Sequence, residues 1–267
     1  MTNLLGWVTP DGELRYLGNH ESTLMLATGK QLPDILESEW KEFDLRDDLK
    51  YPIKIKDQNG KGACNGHAAA SSLEIARYVS GADYVPLSPW LVYADLCNGW
   101  DVGSNIAEAL VYLENKGTCS ESLVPYATIN PSRVPESART DAKRFKVEIG
   151  YRLNTFRDLC IASQLRMPFN FSVPVNYAFN TLDKDGIPGN RAGTHNHAVT
   201  GGVGMKRLPS GKWAILMQNS WGTQWGWNGY CWITERNVEG RGWDAYCVSA
   251  TVADPNNLPP VFAKSHH

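Results

Sequence analysis

The sequence predicts an α+β protein with a mainly helical lobe, a strand-rich lobe and a ligand cleft between them. Apolar residues recur at helical spacing in the first half of the 267-residue chain, up to about residue 142. Beyond that point, short segments alternate apolar and polar residues, as half-buried strands do. Helices followed by strands favour an α+β fold over a parallel sheet with interleaved helices. A cleft between two lobes is a common place for a ligand site.

The same change of pattern divides the chain into three regions. Residues 1–41 show no clear periodicity and are expected to form an N-terminal extension. Residues 42–145 are expected to form the helical lobe. Residues 146–267 are expected to form the strand-rich lobe and to end in an extended C-terminal tail.

Two helices are predicted in the helical lobe. The first begins at Cys64 and ends before Gly81, which is a typical residue beyond a helix C-terminus. The second lies within residues 104–117 and ends at a glycine for the same reason. The apolar positions that define the two helix faces are Ala69, Leu73, Ala76, Ile106, Leu110 and Leu113.

Strands are predicted in five segments of the second half, each rich in β-branched, aromatic or alternating residues. The segments are residues 144–153, 168–175, 197–208, 212–221 and 229–235. The third and fourth segments are joined by the turn sequence Leu-Pro-Ser-Gly at residues 208–211, which predicts a hairpin.

Composition and charge exclude several classes of partner. The formal net charge is -2 and the pI is about 6.3, so neither nucleic acid nor an anionic membrane surface is an expected partner. No apolar run approaches the roughly 18 residues of a membrane helix, and the N-terminus lacks the basic region of a secretory signal. The sequence leaves the oligomeric state open.

The cysteines and histidines do not predict a metal site or any other cofactor. No two of the six cysteines form a CxxC pair, and the close pair His195 and His197 is only a weak metal signal. Six cysteines are also too few for a disulfide scaffold in a chain of this length. A reducing compartment, the cytoplasm, is therefore expected. The cysteines are Cys64, Cys97, Cys119, Cys160, Cys231 and Cys247.

Cys64 stands where a glycine-rich turn meets the first predicted helix, in the stretch "DQNGKGACNGHAAASSLE". The unpaired N–H groups and the positive dipole end of a helix N-terminus favour a thiolate over a thiol. Taken alone, this position also fits a cysteine that packs as a small apolar residue, which is the commoner case.

A thiolate nucleophile needs a proton shuttle, an orienting group and donors for an oxyanion. His197 opens one predicted strand and Asn219 ends the next, so a hairpin would bring them together. The Asn219 oxygen would then hold the imidazole while its other nitrogen faces the thiolate. Gln58 could supply an oxyanion donor beside the backbone N–H of Cys64.

With these residues the sequence resembles the papain family of cysteine peptidases. The motifs are "DQNGKGAC" ending at Cys64, "NHAV" around His197, and "NSWGTQWGWNGY" beginning at Asn219. The order Cys, His, Asn and the separation of 133 residues between Cys64 and His197 also fit the family. The resemblance covers residues 42–255.

The resemblance implies a papain-like fold with a helical left lobe, a β-barrel-like right lobe and an active-site cleft between them. It implies a cysteine-type peptidase that hydrolyses peptide or protein substrates through a thioester acyl-enzyme. Cys64, His197 and Asn219 would be catalytic, with Gln58 in the oxyanion hole, and Trp221 would shield the His–Asn bond from water. The substrate-binding residues implied are Gly99, Trp100, Gly103, Asn196 and Trp221.

The chain also departs from the family pattern. Lys61 stands where the family has a cysteine that pairs with the position of Cys97, and residues 189–196 lack the cysteine of another common disulfide. Both departures favour a reducing compartment. Whether Cys231 and Cys247 pair is left open. Residues 1–41 are shorter than the usual inhibitory prosegment and are expected to be a decoration, a short latency segment or a recognition arm.

Two alternative functions are compatible with a papain-like chain. One is an acyltransferase or amidase, in which an Asp or a second His usually replaces the third catalytic residue; Asn219 within "NSWG" argues against it. The other is a non-catalytic binding protein. Such relatives typically lose the Cys or the His, whereas this chain retains both.

Overall fold

The computed structural model describes residues 32–48 and 52–250. The expectations for residues 1–31 and for the tail after residue 250 lie outside the described residues. Within them, helices and antiparallel strands form separate layers, as the sequence predicts. None of the described helices has the combination of length and apolar character that crossing a membrane requires.

The elements have the following bounds. The α-helices are α1 (Leu45–Asp48), α2 (Cys64–Val79), α3 (Pro89–Cys97), α4 (Ile106–Asn115), α5 (Glu136–Ala142), α6 (Phe156–Gln164) and α7 (Glu235–Val238). The strands are β1 (Phe43–Asp44), β2 (Val147–Arg152), β3 (Phe169–Val173), β4 (Gly193–Thr194), β5 (His197–Arg207), β6 (Trp213–Gln218), β7 (Tyr230–Ile233), β8 (Gly240–Arg241) and β9 (Ala245–Ala250).

Seven strands form one antiparallel sheet in the order β2-β9-β3-β5-β6-β7, and β1 also pairs with β5. The expected β-barrel-like lobe is therefore an open sheet, since β2 and β7 are its two ends. The register of β5 to β6 shifts between Thr200 and Gly204, which marks a β-bulge or a similar irregularity. The first residues of β5 pair with β3, and its last residues pair with β1 and β6.

Both predicted helices and all five predicted strands form, while α3, α6 and β9 were not predicted. β9 lies between β2 and β3 and is covered on both faces, so its sequence lacks a period of two. α3 is buried almost all round and lacks an amphipathic stripe. α6 lies in the half expected to be stranded, and its sequence signal is the capping box of Thr155 and Asp158.

Helix α2 lies at the centre of the molecule. Every residue from Cys64 to Ala76 is buried, because α3 and α4 cover one side of the helix and strands β3, β5 and β9 cover the other. The alanines at 68–70 allow a close approach to the sheet. The Thr200 hydroxyl of β5 donates to the Ala68 carbonyl at 3.1 Å and so joins the two layers.

The last residues of the N-terminal extension pack on the strand-rich lobe. The Trp40 ring meets Trp213 of β6 edge to face, with 5.7 Å between ring centroids. The Lys41 backbone exchanges two hydrogen bonds with the Gln164 side chain of α6, at 2.9 and 2.7 Å. Residues 32–41 therefore lie along α6 and β6.

A buried ion pair joins the segment before Cys64 to the middle of α2. Lys56 Nζ lies 2.8 Å from Glu74 Oε2, and both side chains are at most 2% exposed. Glu74 also accepts hydrogen bonds from the Tyr84 hydroxyl at 2.5 Å and the Leu87 backbone N–H at 2.8 Å. The buried Glu74 carboxylate thus has three protein partners in place of the water that would bind it at the surface.

Removing one member of this pair should destabilise the protein strongly. Lys56→Met leaves the Glu74 carboxylate buried without its cation, which typically costs about 3–5 kcal/mol. Lys54→Met is the matched control, since Lys54 forms an exposed pair with Glu121 that is worth at most about 1 kcal/mol. The free energy of unfolding from urea titrations measures both. Equal losses in the two variants would contradict the expectation.

Candidate active site

Cys64 is the first residue of α2 and lies at the end of a tight glycine turn. Gly60 has a φ of +66°, and the Lys61 N–H donates to the Gln58 carbonyl at 2.9 Å. The residue before the helix, Ala63, supplies no side-chain cap. The first turn of α2 therefore presents its N–H groups at Cys64, as the sequence predicts.

His197 and Asn219 lie side by side on adjacent strands. His197 opens β5, and Asn219 follows the last residue of β6. The imidazole Nε2–H donates to Asn219 Oδ1 at 2.8 Å, while the buried Nδ1 has no hydrogen-bond partner among the residues that the structure describes. The Trp221 indole covers the imidazole at 4.7 Å between ring centroids, with 31° between the ring planes. The ring is thus held by one nitrogen and shielded from water on one face.

The packing of α2 on the sheet brings Cys64 into the neighbourhood of this pair. Cys64 belongs to the same cluster of buried residues as Ala198, which directly follows His197. The hydrogen bond between Thr200 and Ala68 fixes the two elements nearby. The nucleophile candidate and the base candidate thus lie on elements in direct contact.

Burial controls the charge of His197. The imidazole is completely buried, and this lowers its pKa to about 4, although the hydrogen bond to Asn219 acts in the opposite direction. At neutral pH the ring is therefore neutral unless a negative charge forms beside it.

Gln58 is buried and connected to the Asn219 loop through Ser220. The Gln58 backbone N–H donates to the Ser220 carbonyl at 2.9 Å, and Gln58 Oε1 accepts from the Ser220 hydroxyl at 2.8 Å. Gln58 Nε2 donates to the Lys61 carbonyl at 2.6 Å. The Ser220 N–H in turn donates to Asn219 Oδ1 at 2.8 Å. Ser220, which was not singled out in the sequence, thus links the Gln58 and Asn219 side chains.

The expected substrate-binding residues lie on two different segments. Gly99 and Gly103 adopt positive φ angles of +86° and +78° in the loop between α3 and α4, and Trp100 in that loop is 73% exposed. Asn196 precedes His197, and its amide exchanges two hydrogen bonds with the Val175 backbone, at 2.8 and 2.9 Å. The Asn196 side chain is therefore held by the end of β3.

Two neighbours of the site point into the interior. The imidazole of His195 lies 2.7 Å from the Ser172 hydroxyl and 2.9 Å from the Val238 carbonyl, so both of its nitrogens have partners. Asn65 donates to Ser104 Oγ at 3.0 Å and accepts from Asn170 at 2.8 Å. Neither side chain is available to line a cleft.

The cysteines and the other titratable groups form no further site in the described residues. None of the six cysteines, all of which lie within the described residues, forms a disulfide, so Cys231 and Cys247 do not pair. Cys231 Sγ lies 4.0 Å from Met217 Sδ. Within residues 32–48 and 52–250, no group of three or more His, Cys, Asp or Glu side chains is placed to hold a metal ion.

Asp101 ties the loop between α3 and α4 to the turn before Cys64. Its Oδ1 accepts from the Gly62 N–H at 2.8 Å and from the Tyr93 hydroxyl at 2.6 Å, and its Oδ2 lies 3.8 Å from Lys61 Nζ. A Cβ at Gly62 would lie only 2.9 Å from the Tyr93 oxygen, so this close approach requires glycine. The carboxylate therefore joins the two segments at the point where the related proteins are expected to carry a disulfide.

The comparisons with known proteins identify the family of the chain. A family model described as papain family cysteine protease matches residues 40–251. Xylellain, a cysteine protease from Xylella fastidiosa, has a TM-score of 0.71 and 18% identity over 94% of this chain and 99% of its own. The bromelain protease from Ananas comosus has a TM-score of 0.61 and 25% identity, covering 78% of this chain and 98% of its own.

A digestive procathepsin L from the larval midgut of Tenebrio molitor gives a TM-score of 0.65 at 19% identity, over 85% of this chain and 77% of its own. Comparison with curated protein sequences finds no match. The family model spans most of the chain, and the chain therefore belongs to the papain family of cysteine proteases. It is a cysteine peptidase, hence a hydrolase, and its α+β papain-like fold is as predicted.

Removing the Asp101 carboxylate should impair turnover. Asp101→Ala frees the Gly62 peptide and displaces the segment that carries Cys64, and a displacement of about 1 Å can cost roughly 10²-fold. Asp101→Asn retains an oxygen for both donors and should keep most of the activity. Asp95→Ala is the control, since that carboxylate binds Arg139 and Tyr112 instead. kcat/KM on a peptide substrate measures the effect, and an unimpaired Asp101→Ala variant would contradict it.

Proposed function

We propose that the protein cleaves peptide bonds through a catalytic site formed by Cys64, His197, Asn219 and Gln58. The observation that carries this proposal is the His197–Asn219 hydrogen bond, which occupies Nε2 next to the helix that begins at Cys64. The buried Nδ1 has no hydrogen-bond partner within residues 32–48 and 52–250. A histidine fixed by one nitrogen, with the other available to a thiol, is the arrangement of a cysteine nucleophile and its base.

In the resting enzyme, the Cys64 thiol transfers its proton to His197 Nδ1. Burial alone keeps the imidazole neutral, but a thiolate within a few ångström favours the imidazolium, and the imidazolium favours the thiolate. The two groups therefore titrate as a pair. The helix N-terminus at Cys64 adds a further stabilisation of the negative charge.

Acylation begins when the Cys64 thiolate attacks the carbonyl carbon of the scissile peptide. The carbonyl oxygen becomes an oxyanion, which accepts hydrogen bonds from the Cys64 backbone N–H and Gln58 Nε2. His197 Nδ1–H then protonates the leaving nitrogen, the C–N bond breaks, and the amine product departs. The acyl group remains as a thioester on Cys64.

Deacylation returns the site to its starting state. A water molecule gives its proton to His197 Nδ1 as its oxygen attacks the thioester carbonyl, and the same two donors hold the second oxyanion. The C–S bond breaks, the carboxylic acid product leaves, and Cys64 is again a thiolate beside the imidazolium. Asn219 keeps the imidazole oriented through both half-reactions.

The proposed substrate is a peptide or protein segment that lies across the cleft. The loop with Gly99, Trp100 and Gly103 would contact the residues before the scissile bond, and Trp221 the residues after it. Asn196 would act mainly through its backbone, because its side chain is held by Val175. The six cysteines form no disulfide in the described residues, which supports a reducing compartment, such as the cytoplasm, as the place of action.

The first test is the intact mass of the protein after incubation with an epoxysuccinyl peptide inhibitor, together with hydrolysis of fluorogenic peptides. One inhibitor adduct and measurable hydrolysis are expected for the wild type. Cys64→Ala should give neither, whereas Cys160→Ala, which changes a buried cysteine of α6, should give both. An adduct without hydrolysis of any peptide would favour a binding protein or an acyltransferase.

The Asn219 variant tests the orienting role through its pH dependence. The Asn219 hydrogen bond raises the pKa of His197, so Asn219→Ala should lower it and make the imidazolium lose its proton at lower pH. The alkaline limb of the kcat/KM profile should therefore move to lower pH, and kcat should fall without disappearing, since the thiolate–imidazolium pair remains. An unchanged profile and unchanged kcat would contradict the role.

A further inference from the structure

Three buried polar atoms close to the His197–Asn219 pair have no hydrogen-bond partner among the described residues. They are His67 Nε2, Gln218 Oε1 and Asn219 Nδ2, and each of the three residues is at most 3% exposed. An unpaired polar atom in the interior has lost its hydrogen bonds to water without replacement, which destabilises the fold. Three of them close to one catalytic pair therefore require an explanation.

All three residues line one small cavity between α2 and the strands β5 and β6. The cavity has a volume of about 10 Å³, which is close to the space that one water molecule needs. Lys56, Ser71 and Thr200 also line it. Its size and its polar lining thus match a single water and exclude a larger ligand.

The hydrogen-bonding capacities of the three atoms fit one water molecule. His67 Nδ1 donates to the Ala63 carbonyl at 2.8 Å, so Nε2 of the neutral ring is an acceptor. Gln218 Nε2 donates to the Lys54 carbonyl at 3.0 Å, which leaves Oε1 as an acceptor. Asn219 Oδ1 is occupied by His197 and Ser220, which leaves Nδ2 as a donor. A water can donate twice and accept once here.

The ring of His67 stays neutral in this environment. It is completely buried, and burial lowers its pKa to about 3. The Asp57 carbonyl acts in the opposite direction but forms no hydrogen bond with Nε2. His67 therefore offers an acceptor, not a second acid or base, across the working pH range of the site.

We propose that this cavity binds one ordered water, which accepts from Asn219 Nδ2 and donates to His67 Nε2 and Gln218 Oε1. His67 and Gln218 are then positioning residues for Asn219, and this role rests on the function proposed above. The two ends of an asparagine amide have nearly the same shape, so hydrogen bonds alone decide which end faces His197. The water binds only Nδ2 in this network and so, together with the Ser220 N–H that donates to Oδ1, directs Oδ1 towards the imidazole.

A high-resolution crystal structure of the active enzyme is the first part of the test. A water peak within hydrogen-bonding distance of all three atoms is expected, and its absence would overturn the proposal. His67→Phe should lose this water, because it removes the acceptor while its ring can retain the edge-to-face contact that His67 makes with Trp90. His67→Gln keeps an acceptor at a similar position and should keep the water.

Kinetics form the second part. His67→Phe should lower kcat about tenfold with little change in KM, because the Asn219 amide is less well oriented. A tenfold change corresponds to about 1.4 kcal/mol. His67→Gln should restore most of the lost kcat. Ser163→Ala, which removes a buried hydroxyl from α6, is the control for general loosening of the core and should retain kcat. Equal kcat values for His67→Phe and His67→Gln would overturn the proposal.

A double-mutant cycle separates this role from a structural one. In the Asn219→Ala background, His67→Phe should cause no further loss of kcat, because the group that it positions is gone. An additive loss would show that His67 acts only through stability. If the water is present but Asn219→Ala retains full kcat, the proposed catalytic role of Asn219 fails while the water site stands. If Asn219→Ala is impaired and the water is missing, the water site alone fails.

Discussion

The packing of helix α2 against strand β5 is the interaction on which the rest of the structure depends. It places Cys64 and His197 on two elements in contact, and the alanines of α2 allow that contact because they hold the helix close to the sheet. The hydrogen bond from Thr200 to Ala68 fixes the position of α2 along strand β5. A larger side chain in this seam would separate the two halves of the site without touching either. The small residues of α2 are therefore required for the relative position of Cys64 and His197 as well as for close packing of the core.

A second constraint is the continuity of the polar network around the imidazole. From Gln58 through Ser220 to Asn219 and His197, each side chain is fixed by the next, and the network crosses from the helical lobe to the strand-rich lobe. Because these groups are buried, their hydrogen bonds are stronger than in water, and leaving one unmade is correspondingly costly. The site is therefore organised before a substrate arrives, which is the condition for electrostatic stabilisation of an oxyanion.

The sequence was sufficient for the fold class and for the elements that carry the proposed site residues. The periodic positions of α2 and α4 and the hairpin of β5 and β6 are local signals, and the spacing of Cys64, His197 and Asn219 follows from them. The contacts of Asp101, Ser220 and His67 were not predicted, because they join segments that are distant in the chain. The open sheet was also not predicted, since whether the two end strands β2 and β7 pair depends on contacts between distant segments and not on any strand's own pattern. Buried elements such as β9 gave no signal, because both of their faces are apolar.

The carboxylate at Asp101 has a consequence for the conditions in which the cleft keeps its shape. A disulfide between these two segments would tie their geometry to the reduction potential of the surroundings. The Asp101 carboxylate binds backbone and hydroxyl donors and takes part in no redox reaction. The contact between the two segments therefore persists in the presence of glutathione and of oxidants alike. Burial also raises the pKa of Cys119 and Cys247 to about 12, which leaves almost no thiolate for exchange at these positions. The described structure around Cys64 thus contains no disulfide whose cleavage would alter it.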